Sequence, residues 1–268
     1  MPVKRIISGI VLIAIAFAMI IPGGMIMAGF LMIAGLIAYR ELVKCFELTG
    51  ILEIVGYVGI VIYYLVMTFV SDRTYLLLVV TALVIAFMTV YVVTFPKFEA
   101  KDIMISTFCV IYAPIMFGFI YMTRELEFGF YTVWLIFICS SVCDMCAYFV
   151  GMLIGKHKMA PILSPKKSIE GAVGGVIGTI ICSGLYGHFV LEPQVPGKNI
   201  TVWVILISIV GAFASMIGDL AASAIKRNRN IKDYGKLIPG HGGIMDRFDS
   251  IIFTAPMIYL LTILFINR

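Results

Sequence analysis

Residues 74–95 read TYLLLVVTALVIAFMTVYVVTF, an uninterrupted run with no charge, no Asn or Gln, and neither Gly nor Pro. Asp72 and Arg73 precede it, and Pro96 and Lys97 close it. A helix rises 1.5 Å per residue, so the run reaches about 33 Å, enough to cross the roughly 30 Å hydrocarbon core of a bilayer. Eight further apolar runs bounded by charge, Pro or Gly lie outward from it, at 6–21, 24–39, 51–70, 103–122, 129–150, 170–191, 201–225 and 250–266. Lys4 and Arg5 before the first run invite a signal-peptide reading. A second apolar run follows at once, however, so the expectation is a retained helical hairpin turning at Pro22, Gly23 and Gly24. Composition agrees: of 268 residues, 62% are apolar and 13% charged, against roughly half and a quarter in soluble domains. That excludes a water-soluble monomer, a disordered chain and a disulfide-stapled secreted domain. The expected fold is an all-α polytopic membrane protein of about nine transmembrane helices.

Charge placement orients those helices. With nine spans, the N-terminus shares a side with Lys4, Arg5, Arg40, Lys44, Lys97, Lys101, Lys156, Lys158, Lys166, Lys167, Lys226, Arg227, Arg229, Lys232, Lys236 and Arg247. Arg73, Arg124, Lys198 and Arg268 fall on the other. Positive charge in short loops marks the cytoplasmic face. The chain is therefore expected in the cell (inner) membrane, with its N-terminus inside and its C-terminus outside. No soluble domain is visible. The two longest polar stretches, 151–169 and 226–249, both fall on the inner side, and chemistry is expected there. The corresponding division is a scaffold over 1–128 and a catalytic region over 129–268.

Two carboxylates sit in the wrong solvent for a passive helix. Asp144 and Asp219 each interrupt an apolar run, where an acid at the bilayer centre costs at least about 2.5–3.5 kcal/mol and is usually paired or functional. Each precedes its inner helix end by seven residues, hence by roughly 10 Å. Two acids at matched depth on helices of the same direction can meet in one cavity; a structural pairing with a loop lysine is the alternative. Downstream, a basic stretch over 226–236 leads into Pro239, Gly240, His241, Gly242, Gly243, Ile244, Met245, Asp246, Arg247, Phe248 and Asp249. Alone, the basic stretch reads as a topology signal beside anionic head groups. Glycines beside a helix start add an anion site, and Asp246 and Asp249, three apart, are expected on one helical face. Carboxylates next to phosphate-binding elements commonly hold a divalent cation. Ser164, Lys166, Lys167 and Ser168 form a second anion-binding candidate, with Ser168 as N-cap of the following helix and Gly174 and Gly175 serving either the anion or close helix packing.

Metal ends and phosphate ends on one face describe phosphoryl or nucleotidyl transfer, in which catalysis is positioning and charge neutralisation. No Walker-type loop, nucleophile elbow or zinc-protease helix is present. The spacing of Cys139, Cys143 and Cys146 hints at a thiolate metal site, but no second pair or nearby histidine completes one. These three, with Cys45, Cys109 and Cys182, read as small buried hydrophobes. His157 and His188 have no neighbours of this kind.

Taken together, Ser223, Lys226, Arg227, Lys232, Asp233, Gly235, Pro239, His241, Gly242, Gly243, Asp246, Arg247 and Asp249 occur at spacings that resemble the signature of the CDP-diacylglycerol synthase, or phosphatidate cytidylyltransferase, family. The stretch 164–171, and Asp144 followed by Ala147 and Tyr148, resemble it as well, so the likeness covers about 140–250. It implies transfer of CMP from CTP to phosphatidic acid, giving CDP-diacylglycerol and pyrophosphate in phospholipid biosynthesis. It also implies a site in the membrane open to the cytoplasm, a homodimer, and Mg²⁺, with a second cation, K⁺ or another divalent ion, associated with the family. Carried onto this chain, Asp219 and Asp246 lead as metal ligands, followed by Asp144 and Asp249. Asp219, Asp246, Lys226, Arg247 and His241 are the expected catalytic set. Ser164, Lys166, Lys167, Ser168, Ser223, Arg227, Lys232, Gly242 and Gly243 are expected to bind substrate. The expected partners are CTP, phosphatidic acid and membrane lipid, and no nucleic acid. An ion-coupled transporter and another CTP-using lipid kinase are the competing readings. Acids near one face rather than the midplane disfavour the transporter.

Overall fold

The computed structural model describes residues 14–195, 199–237 and 242–267. Residues 14–20 are helical, and the chain breaks at the expected Pro22-Gly23-Gly24, where Gly23 and Gly24 take φ of 63° and 48°. Seven helices long and apolar enough to cross a membrane follow among the described residues: α1 (Gly24–Phe46), α2 (Ile51–Phe69), α3 (Thr74–Thr94), α4 (Ala100–Arg124), α5 (Gly129–Ile154), α6 (Ile169–Gln194) and α7 (Ile200–Asn228). Between α5 and α6 lie two short strands, β1 (Lys158–Ala160) and β2 (Ser164–Ser168). After α7 come a single helical turn, α8 (Met245–Phe248), and the apolar α9 (Ile251–Phe265).

The expectation of a polytopic helical membrane protein holds, with one addition and one systematic shift. The polar stretch 151–169 contains a two-stranded antiparallel hairpin, pairing Lys158 with Ser168 and Ala160 with Ser164 across an irregularity. Helices also run past the apolar runs that announce them. α1 continues from 39 to Phe46, and α7 from 225 to Asn228. Hydropathy stops at the first charge, whereas the helix does not. Lys44 in the last turn of α1, and Lys226 and Arg227 in that of α7, complement the negative helix end.

The chain divides into two compact units, 1–121 with 233–247, and 122–232 with 248–268. The sequence suggests a single boundary at 128/129; by contacts, the loop 233–247 instead groups with the N-terminal helices. In the first unit, Pro114 falls inside α4 and the local backbone widens into a π turn over Ile111–Ile115. A buried Tyr64 hydroxyl donates to the Pro114 carbonyl at 2.9 Å. A buried hydroxyl needs such an acceptor, because lipid offers none. In the second unit, α5 and α6 pack along a seam of small residues. A Cβ on Gly178 would lie 2.4 Å from Cys146 Sγ, and one on Gly175 would lie 2.9 Å from the Cys143 carbonyl. Gly174 and Gly175 therefore serve helix approach, the second of the two uses expected for them. Cys143, Ala212 and Met216 form a buried cluster, with Ala172 and Val176 packed on it. Cys139 and Cys143 are buried, and their thiols approach the Ser208 and Ala212 carbonyls at 3.9 Å, which matches the packing reading.

Candidate active site

In the second unit a cavity of about 340 Å³ is lined by Asp144, Asp219, Ser164, Lys166, Lys167 and Ser168. Its apolar lining includes Met152, Ala172 and Met216. The two intramembrane acids thus meet, as their matched depth suggests. Asp144 arrives on α5 just after the π turn Ile138–Val142, and Asp219 arrives on the last third of α7.

The lysines arrive on β2, and the hairpin is held in place at several points. Ser168 caps α6, its Oγ accepting the Gly171 N–H at 3.1 Å. Glu170 accepts the Lys156 N–H at 3.1 Å and contacts His157 Nδ1 at 2.6 Å. Ile169 N–H donates to the His157 carbonyl at 2.9 Å, and Arg227 Nε donates to the Leu163 carbonyl at 3.4 Å. Lys167 can therefore ion-pair with Asp219, while Lys166 stays exposed. Ser223, one turn beyond Asp219, donates to Asp219 Oδ1 at 3.5 Å.

Asp249 belongs to the same electrostatic group. Burial, and then the Asp219 carboxylate, push its carboxyl up to about 7, with Asp144 adding and Lys226 opposing. Asp249, Asp219 and Asp144 thus repel one another here, a repulsion that a nearby cation relieves. Asp249 does not share a helical face with Asp246, contrary to expectation. α8 ends at Phe248, and Asp249 folds its side chain back onto the Ser250 N–H at 2.9 Å, the local bond by which Asp competes with helix.

Asp246 lies in the first unit and organises the loop that contains it. Its Oδ2 accepts the Tyr234 N–H at 2.8 Å and the Gly243 N–H at 3.0 Å. Gly242 has φ of 85°, and a Cβ there would lie 2.7 Å from that same oxygen, so only glycine fits. Arg247 and Lys232 are exposed. His241 lies outside the described residues.

Sequence reasoning missed Glu41. It sits between Arg40 and Lys44, where the apolar run has ended and the residues read as a charged loop. Helix α1 instead continues through it and buries it to 7% exposure. An acid set between two bases within one turn of an apolar helix was the available signal.

The cavity lining carries oxygen donors and neither His nor Cys, a set that suits a hard cation such as Mg²⁺. Among the described residues, no group of three or more His, Cys, Asp or Glu side chains is gathered tightly enough to hold a metal ion. The two carboxylates on the cavity lining are therefore not an all-protein cage for a divalent cation.

A model described as the cytidylyltransferase family matches residues 3–265. The chain belongs to the cytidylyltransferase family. Among similar curated proteins, one from Staphylococcus saprophyticus called phosphatidate cytidylyltransferase is 38% identical over 173 residues. Proteins of the same name from Staphylococcus haemolyticus and Staphylococcus aureus are 36% identical over 173 residues. Each alignment covers 62% of this chain and 62% of the relative, so the chain spans under two thirds of the length of the curated relatives it matches. The family model thus reaches well beyond the signature residues, over nearly the whole chain.

Proposed function

We propose that this chain is a phosphatidate cytidylyltransferase, moving CMP from CTP onto phosphatidic acid and releasing pyrophosphate. The observation that carries the reading is the cavity in which Asp144 and Asp219 face Lys166 and Lys167 over an apolar floor. Family membership and the names of the relatives support it.

In the proposed reaction an oxygen of the lipid phosphate forms a bond to the α-phosphorus of CTP, and the α–β anhydride bond breaks. A phosphomonoester has a second pKa of about 6, so the nucleophile is largely ionised at pH 7 and needs no general base. The obstacle is the meeting of two polyanions in a pocket of low dielectric. Lys166 and Lys167 neutralise phosphate there. Lys226, Arg227 and Arg247 supply further positive charge, and Gly242 and Gly243 let the backbone approach the leaving group. Asp219 and Asp144, which line the cavity, would hold Mg²⁺ together with the substrate phosphates, and Asp249 and Asp246 are further ligands by resemblance alone. When bound, Mg²⁺ would screen the phosphates from each other. The apolar floor keeps water from competing for the α-phosphorus.

The same reading places the chain in the cell membrane as about nine spans, with the cavity and N-terminus cytoplasmic and a homodimer as the working form. α9 has 15 residues, about 22 Å of helix, so it would be the shortest of these spans.

The test is purified protein in detergent with phosphatidic acid, Mg²⁺ and CTP labelled at either the α- or the γ-phosphorus. α-Label in the lipid with stoichiometric pyrophosphate is the expected result. γ-Label in the lipid would make the chain a lipid kinase, and no labelled lipid at all would favour a transporter.

A further inference from the structure

Glu41 and Asp246 are the most deeply buried carboxylic acids among the described residues, at 7% and 6% exposure. Glu41 lies near the C-terminal end of α1, where the helix dipole disfavours an anion and burial without partners is costly. Its partners are backbone amides 203 and 204 residues away: Oε1 accepts the Ile244 N–H at 3.1 Å, and Oε2 accepts the Met245 N–H at 2.9 Å. These are amides at the start of α8, which no turn of that helix can satisfy. The loop also lies flat on the carboxylate. A Cβ on Gly235 or on Gly243 would come within 2.2 Å of Oε1. Asp246 fastens the same loop from within, through the Tyr234 and Gly243 amides.

We propose that Glu41 is a positioning residue for the proposed cytidylyl transfer, clamping residues 233–237 and 242–247 so that Asp246 and Arg247 are presented in one fixed arrangement. It touches no substrate and acts through the backbone of residues 244 and 245. Both oxygens are used as acceptors, so a carboxylate is required and an amide is not a substitute. Glu41→Gln turns one acceptor into an NH₂ group aimed at an N–H.

The inference rests on the proposed activity for its purpose, while its geometry can be tested without that activity. Hydrogen exchange of the purified full chain in detergent, followed by mass spectrometry, reads the clamp directly. Glu41→Gln should speed exchange in peptides covering 233–247 by tenfold or more and leave α5 to α7 unchanged. Unchanged exchange in that loop overturns the proposal, as does a rise spread over the whole chain, the mark of a merely structural role. Glu41→Asp keeps the charge on a shorter arm and should show an intermediate rise, giving a second reading should Glu41→Gln misfold.

A double-mutant cycle isolates the contact. Gly235→Ala, which sets a methyl against the same carboxylate oxygen, should lower kcat at least tenfold in the wild-type background, with KM for phosphatidate little changed. In a Glu41→Ala background, where that oxygen is gone, it should add less than a twofold further loss. Equal losses in both backgrounds overturn the proposal. A clamp seen by exchange in a protein that transfers no CMP would refute the proposed activity and leave the clamp standing.

Discussion

Asp219 is where the competing charges of the cavity meet, since its two oxygens are shared between Lys167 and Ser223. Asp219→Asn keeps the shape and removes the charge. It should cut kcat by a hundredfold or more while the detergent-solubilised protein keeps its helical circular dichroism. Lys167→Met removes a phosphate partner and also leaves Asp219 without its cation. It should raise KM for CTP as well as lower kcat, a pattern that initial-rate kinetics separates from that of Asp219→Asn. Much at this scale was legible. A carboxylate in an apolar run is conspicuous because lipid penalises it, and that logic located Asp144 and Asp219 before any coordinates. It did not locate Glu41, because an acid flanked by Arg40 and Lys44 looks like a solvated helix end. Nor could spacing alone reveal that Asp249 leaves the helix that carries Asp246, because the competing bond to the Ser250 amide is a local choice between two satisfactory conformations.

Ser168 is both the last residue of β2 and the N-cap of α6, so the hairpin bearing Lys166 and Lys167 is aimed by a helix start. Ser168→Ala should cost about 1 kcal/mol and lower the thermal midpoint measured in detergent, with activity falling further than stability. The seam between α5 and α6 is less forgiving. Gly178→Leu would drive a side chain into Cys146, whose sulfur already lies 2.4 Å from an ideal Cβ at 178. It should destabilise more than the loss of the cap and widen the cavity that α5 and α6 both line, as a thermal scan with and without CTP would report. Helix positions could be read from the sequence because bilayer thickness fixes how long an apolar run must be. Helix ends could not, because basic residues stabilise a last turn as readily as they fill a loop. The hairpin could not be read either: strands of three and five residues, paired across an irregularity, carry too little alternation to register.

Sixteen of the twenty Lys and Arg residues should fall on one side of the membrane, with residues 226–237 on the cytoplasmic face. Trypsin should therefore cut there in inside-out vesicles and spare that stretch in right-side-out ones. The two-unit grouping was not visible in the sequence, since nothing in 233–247 announces that its partners lie two hundred positions earlier. That separation has a consequence for biosynthesis. Ribosomes add about 5–20 residues per second, so Glu41 is inserted roughly 10–40 s before Ile244 and Met245 exist to receive it. Throughout that interval the nascent chain carries an orphan acid at the end of α1. A polypeptide cut short before residue 244 never loses it. Quality-control proteases would thus have a ready chemical mark distinguishing unfinished copies from finished ones.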